Sequence, residues 1–291
     1  MDFIISIING LSAGGTYAMI ALGYTMVYGI AKMLNFAHGD IIMVGGYAMY
    51  LALLLAGHPV VALAAAIVFC VILGVCVERF AYKPLRGASP LAVLITAIGV
   101  SYLLQSVAQI VFGSAPKMLM KLQISGAWEI GPLRITYTTS LTLGVSVVVM
   151  AALTLFIKYS KTGRAMVAVS EDRDAALLMG INTNAIIAIT FAIGSALAAV
   201  AGYLMLMKAP SLSNTLGAMP GIKAFTAAVI GGIGSIPGAM LGGILLGVIE
   251  SISNSIPALA PFTDAVEFSV LIVVLLVKPA GLLGKMRREK V

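Results

Sequence analysis

Six long stretches of this chain carry no charged side chain: residues 3–31, 41–77, 91–115, 135–157, 182–207 and 224–249. About 20 apolar residues in a helix cross the roughly 30 Å of bilayer hydrocarbon. Backbone at that depth must satisfy its hydrogen bonds internally, which leaves helices as the spanning form for segments of this length. A further candidate runs from about 258 to 277, weakened in its first half by Asp264 and Glu267. The expected fold is all-α, a polytopic integral membrane bundle of eight to ten segments with helices broken at Gly and Pro. Residues 1–291 are read as one transmembrane domain, with a cytoplasmic loop over 158–184 and a cytoplasmic tail over 278–291.

Composition agrees. Hydrophobic residues make up 60% and charged residues 10%, against about 25% charged in a soluble domain, which excludes a water-soluble globular enzyme. The formal charge of +7 does not point to nucleic acid, because the Lys and Arg residues stand at span ends, where they set orientation. By that rule the tail (Lys278, Lys285, Arg287, Arg288, Lys290) is cytoplasmic, as are the loops holding Lys158, Lys161 and Arg164, and Arg79, Lys83 and Arg86. Segment 114–138 is then external, and so is the N-terminus unless the first stretch crosses twice; the N-terminus reads as a retained first span and not a cleaved signal. Cys70 and Cys76 are six residues apart in one predicted helix, about 9 Å along its axis and beyond disulfide reach.

Reaching a cytoplasmic tail from the span ending near Met207 takes an odd number of further crossings, whereas two apolar blocks are evident. The block 224–254 is therefore expected to divide at Gly231-Gly232-Ile233-Gly234-Ser235-Ile236-Pro237-Gly238, where proline lacks a donor and glycine loosens the backbone. Glycines spaced by four, such as Gly234, Gly238 and Gly242, put small residues on one face for close helix contact. Broken helices also line transport pathways, and both readings of Gly232 and Gly234 stand.

Polar residues near spans are the candidate functional groups. Asn35-Phe36-Ala37-His38-Gly39-Asp40 is read as a short connection with local caps, or as the mouth of a permeation path through Asn35, His38 and Asp40. It has too few ligands for a metal site. Glu250, Asp264 and Glu267 are candidates for cavity-facing charge, with interfacial placement as the alternative. No nucleophile elbow, zinc-protease motif or phosphate loop is present, so uphill transport would need an ion gradient or a separate ATPase. In the loop, Ser170 is expected to cap a helix of about two and a half turns, with Glu171 and Asp172 in its first turn and Gly180 ending it. Ala175, Leu178 and Met179 would share one face, leaning on the protein's own helix ends or on a partner's groove.

Asp174-Ala175-Ala176-Leu177-Leu178-Met179-Gly180 resembles the Glu-Ala-Ala-x-x-x-Gly coupling-loop signature of ABC importer permeases, with aspartate for the usual glutamate, which keeps the charge and shortens the reach. Gly10 to Ala18, Gly29-Ile30, Leu34 to Asp40, Gly163 to Met166 and Gly231 to Ser235 are similar to the shorter permease subunit of branched-chain amino acid (Leu/Ile/Val) importers. Asn-Phe-Ala-His-Gly-Asp is the more specific part. The resemblance implies an inner-membrane permease that couples to ATPases through Glu171, Asp172, Asp174, Ala175, Ala176, Leu178, Met179 and Gly180. It further implies four kinds of partner: a second permease, two cytoplasmic ATP-binding subunits, a periplasmic or lipid-tethered binding protein and the small amino acid itself. No cofactor is expected on this chain, ATP and Mg belonging to the ATPase subunits. Urea, amides or other amino acids are alternative substrates, and a stand-alone ion-coupled carrier is the alternative class.

Overall fold

A computed structural model describes residues 2–130 and 133–284. The tail cations Lys285, Arg287, Arg288 and Lys290 lie outside the described residues. The chain forms α1 (Asp2–Ala31), α2 (His38–Ala56), α3 (Pro59–Val77), α4 (Pro90–Phe112), α5 (Tyr137–Tyr159), α6 (Lys161–Glu171), α7 (Arg173–Leu178), α8 (Thr183–Lys208), α9 (Ala218–Gly231), α10 (Ile236–Ser255) and α11 (Thr263–Val277). Among the described residues, eight helices are long and apolar enough to cross a membrane, α3 running on through a π turn to Leu85. Two small antiparallel pairs, β1 (Lys117–Met118) with β4 (Ser211–Leu212) and β2 (Ala127–Ile130) with β3 (Leu133–Thr136), lie in connections between helices.

The bundle is built around α1, which packs against α10, α8, α5 and α9. No hydrophobic drive separates helix from lipid, so close approach depends on small residues. The α1–α10 seam shows this: a Cβ on Gly14 would stand 2.7 Å from Ile244 Cα, and one on Gly243 or Gly247 would collide with the α1 backbone at Ala18 or Gly14. The helices run antiparallel, with Gly10 facing Val248 and Gly14 facing Ile244.

The expected division of the last glycine-rich block is present. α9 ends at Gly231, Gly232 and Gly234 take φ of +105° and +92°, and Ser235 caps α10 by accepting from the Gly238 amide at 3.2 Å. The 14-residue α9 is shorter than the eight candidate spans, and three helices, α9, α10 and α11, follow α8. After α11 the chain returns to the end of α9, where the amides of Leu282 and Leu283 donate to the Ile230 and Gly231 carbonyls at 2.8 and 2.9 Å. Helix ends otherwise leave such carbonyls without partners.

One expected element is different. No helix starts at Ser170, whose hydroxyl sits in the last turn of α6 and donates to Val167 O at 2.7 Å. Ser160 starts α6 instead, accepting from the Gly163 amide at 2.8 Å, and Glu171 closes it. Asp172 is extended (φ −149°), breaks the helix and caps the six-residue α7. The caps that act are Ser160 and Asp172, and a helix follows each.

Replacing Gly247 with valine is expected to destabilise the detergent-solubilised protein by about 1–3 kcal/mol, the usual range for overpacking. Gly144→Ala, at a position with nothing within 4 Å of an added Cβ, is expected to leave the melting temperature within a degree or two. Thermal unfolding of the two variants side by side checks both.

Candidate functional site

The segment Asn35 to Asp40 is a crossing point inside the bundle and not an exposed connection. α1 ends as Lys32 turns into the left-handed region (φ +56°), and residues 32–37 carry the chain to α2. Asn35, His38 and Asp40 are each 2% exposed or less, and each has a packing role. Asn35 Oδ1 accepts from Tyr82 Oη at 2.9 Å. His38 fills the space beside Gly23 of α1 and stands edge-on to Tyr24 at 4.8 Å. Asp40 accepts from Gln105 Nε2 of α4 at 2.8 Å. Gly39 packs backbone to backbone on Gly217 and Gly221, so that the N-termini of α2 and α9 meet in the interior, with Phe36 and Tyr24 both against Phe225. A positive helix end favours an anion, and Asp40 sits in the first turn of α2.

Cavities open at both ends of α1. The one remote from α7, about 770 Å³, is lined by α1 residues Asn9, Ser12, Thr16 and Tyr17, with Thr139, Thr142, Glu250 and Asn254. The one beside α6, about 610 Å³, is lined by Tyr28, Gly29, Lys32, Glu171, Gly234 and Ser235. Between them α1 is buried without interruption from Ala18 to Val27, about 15 Å at 1.5 Å per residue. Of the sequence candidates, Glu250 lines the first cavity and Gly234 the second. Gly232 packs against Ala280 and Gly284 behind it.

A charged cluster borders the first cavity. Lys223 Nζ, on α9, lies 2.8 Å from Glu250 Oε1, 2.9 Å from Asp264 Oδ1 and 3.2 Å from Glu267 Oε1. Tyr17 Oη donates to Glu250 Oε1 at 3.1 Å. The three carboxylates that the sequence offers as interfacial or cavity-facing thus converge on one ammonium, with Glu267 wholly buried. Lys223 is the residue that sequence reasoning missed. Its signal was a lone lysine at the edge of an apolar block, the kind of charge that within a membrane is almost always paired.

At the other end, α7 is a small, well-terminated helix. Asp172 Oδ1 accepts from the amides of Asp174 and Ala175 at 3.0 and 2.9 Å. Gly180 (φ +81°) ends it in a Schellman motif: the Ile181 amide donates to Ala176 O and the Gly180 amide to Leu177 O, both at 3.0 Å. Ala176 is buried toward the bundle, Ala175 is exposed, and Leu178 and Met179 are 89% and 82% exposed beside Leu177. Below it, Arg86 ties Glu78 of the π turn to Asn184 of α8.

A multi-pass bundle with opposed cavities and a capped, apolar-tipped helix outside the spans is the build of a membrane transport subunit. The chain belongs to the family described as branched-chain amino acid transport system permease components, whose model matches residues 6–275. It is 44% identical to the high-affinity branched-chain amino acid transport system permease protein LivH of Escherichia coli strain K12, covering 99% of this chain and 98% of that one. It is 45% identical to the corresponding permease BraD of Pseudomonas aeruginosa over 98% and 97% of the two chains. The solved structure of an inward-facing putative metal-chelate type ABC transporter shares the fold, with a TM-score of 0.51 at 16% identity over 94% of this chain and 87% of that one. The protein is a multi-pass permease of the bacterial inner membrane.

Removing one partner of a buried ion cluster leaves charge uncompensated, typically at about 3–5 kcal/mol. Lys223→Met is therefore expected to lower thermal stability strongly, and Lys223→Arg to keep most of it. Melting curves in one detergent measure the difference.

Proposed function

We propose that this chain, as a single permease domain over 1–291, forms half of the translocation path of an ATP-driven importer of leucine, isoleucine and valine. The observation that carries the reading is the α7 tip: Leu177, Leu178 and Met179 stand exposed outside the spans on a helix fixed at both ends. Exposed apolar clusters of this kind are partner surfaces, and the whole-length likeness to branched-chain amino acid permeases makes an ATPase groove the fitting partner. The assembly has a second permease, two ATP-binding subunits and a solute-binding protein. ATP and Mg are held by the ATPase subunits, and this chain has no catalytic site of its own.

The geometry supplies the transmission. α7 packs on α6 and α8, and α6 packs on α1. Ser170 and Glu171, at the end of α6, share the second cavity with Tyr28 of α1 and with Lys32 just beyond it. Closure of the ATPases moves α7, α6 follows, and α1 tilts about its glycine seam, opening one cavity as the other closes in a rigid-body transition. Asn35, His38 and Asp40 act in gating by holding the α2–α9 crossing, Gly232 and Gly234 by hinging α9 on α10, and Glu250 by facing the path. An ion-coupled carrier is less well supported, because the carboxylates it would use are engaged: Asp40 with Gln105, and Glu250, Asp264 and Glu267 with Lys223.

Asp174→Lys and Gly180→Val, the latter forcing a branched side chain onto a positive φ, are expected to cut stimulated ATP hydrolysis of the reconstituted complex at least fivefold while membrane insertion is normal. Uptake of labelled leucine should require the ATPase subunits and survive collapse of proton and sodium gradients at constant ATP. Normal coupling in both variants, or uptake without nucleotide, would refute the reading.

A further inference from the structure

The cavity remote from α7 has the chemistry of a receptor for one class of small molecule. Its volume of about 770 Å³ falls in the range of ligand pockets, roughly 300–1,000 Å³. The wall is divided. Ala13, Ile124, Leu204 and Met205 give an apolar side, and hydroxyls and amides from α1, α5 and α10 give a polar one.

The polar side is also divided by charge. Glu250 reaches the lining with its side chain 19% exposed, and it belongs to a cluster in which one ammonium serves three carboxylates. That count leaves a formal surplus of two negative charges behind one wall. Arg134 and Lys208 are exposed cations on the same lining. Asn9 Oδ1 accepts from Thr139 Oγ1 at 3.3 Å, and Asn254 Oδ1 from Thr263 Oγ1 at 2.8 Å. Each amide oxygen is thereby engaged, and each amide nitrogen carries two N–H donors.

A small molecule that matches all three parts of this wall carries an ammonium, a carboxylate and an aliphatic group. We propose that this cavity is a binding site for a free aliphatic α-amino acid in its zwitterionic form. Glu250 accepts the ammonium, Asn9 and Asn254 donate to the carboxylate with Arg134 and Lys208 at the mouth, and Leu204 and Met205 take the side chain. The inference rests on the importer reading and adds to it: the permease itself recognises the backbone charges of its cargo, where a featureless path would leave all selection to the binding protein. A site of this kind needs to be weak, because cargo must leave it within one transport cycle.

The test uses the assembled permease–ATPase complex in lipid nanodiscs without the binding protein, with labelled L-leucine in equilibrium dialysis. Saturable binding is expected. It should be displaced by unlabelled leucine, but not at tenfold higher concentration by the 2-oxo analogue, which lacks the ammonium, or by isopentylamine, which lacks the carboxylate. Glu250→Gln should weaken binding at least tenfold, and Asn9→Leu, which leaves the lysine cluster intact, at least threefold. Displacement by the 2-oxo acid as strong as by leucine would overturn the proposal, as would unchanged affinity in both variants. So would absence of saturable binding in a complex that, with its binding protein, imports leucine. A complete system that imports no amino acid would overturn the importer reading, and this site with it.

Discussion

The contact on which this structure depends is the approach of two backbones, α1 against α10, through positions that have no side chain. In a bilayer a leucine gains nothing by leaving lipid for a neighbouring helix, so dispersion and close fit must hold the bundle together. Gly10 and Gly14 on one helix and Gly243 and Gly247 on the other let the axes close to a distance that a methyl group would prevent. The same device recurs where Gly23 receives the His38 ring, where Gly15 meets Ser146 of α5, and where Gly39 lies on Gly217. A central post gripped on several sides moves as a unit.

Against this neutral packing, the Lys223 cluster is the main electrostatic commitment. It joins three helices, α9, α10 and α11, with Tyr17 of α1 as a fourth contributor. Buried ion clusters contribute less to stability than to uniqueness, since swapping them for apolar residues is often neutral while breaking them is costly. Here the cluster fixes which face of the short α9 turns toward α10 and α11.

Much of this was legible in the chain itself. The spans announced themselves because charge is excluded from hydrocarbon, and the α9–α10 break because Gly-Gly-Ile-Gly-Ser-Ile-Pro cannot continue a helix. The C′ role of Gly180 was readable for a similar reason, since a positive φ selects glycine. What could not be read was anything set by distant pairing. Asn35 to Asp40 has the local composition of a turn, yet its burial comes from Tyr82, Gln105 and Gly217, residues 47, 65 and about 180 positions away. The partners of Lys223 are 27 and 44 residues off, so grouping charges by neighbourhood in the sequence separated what the fold unites. The boundary between α6 and α7 failed for another reason: Ser170 and Asp172 are both competent caps, and which one acts depends on where the preceding helix, started by Ser160, runs out.

The unbroken burial of α1 from Ala18 to Val27 bears on a matter other than cargo. A bacterial membrane stores energy as voltage, about 2.3 kcal/mol for each elementary charge per 100 mV, and every transporter inserted in it is a potential short circuit. Three turns of closely packed helix separate the two hollows along α1, so among the described residues no hydrated path for protons or alkali ions follows this helix through its buried stretch.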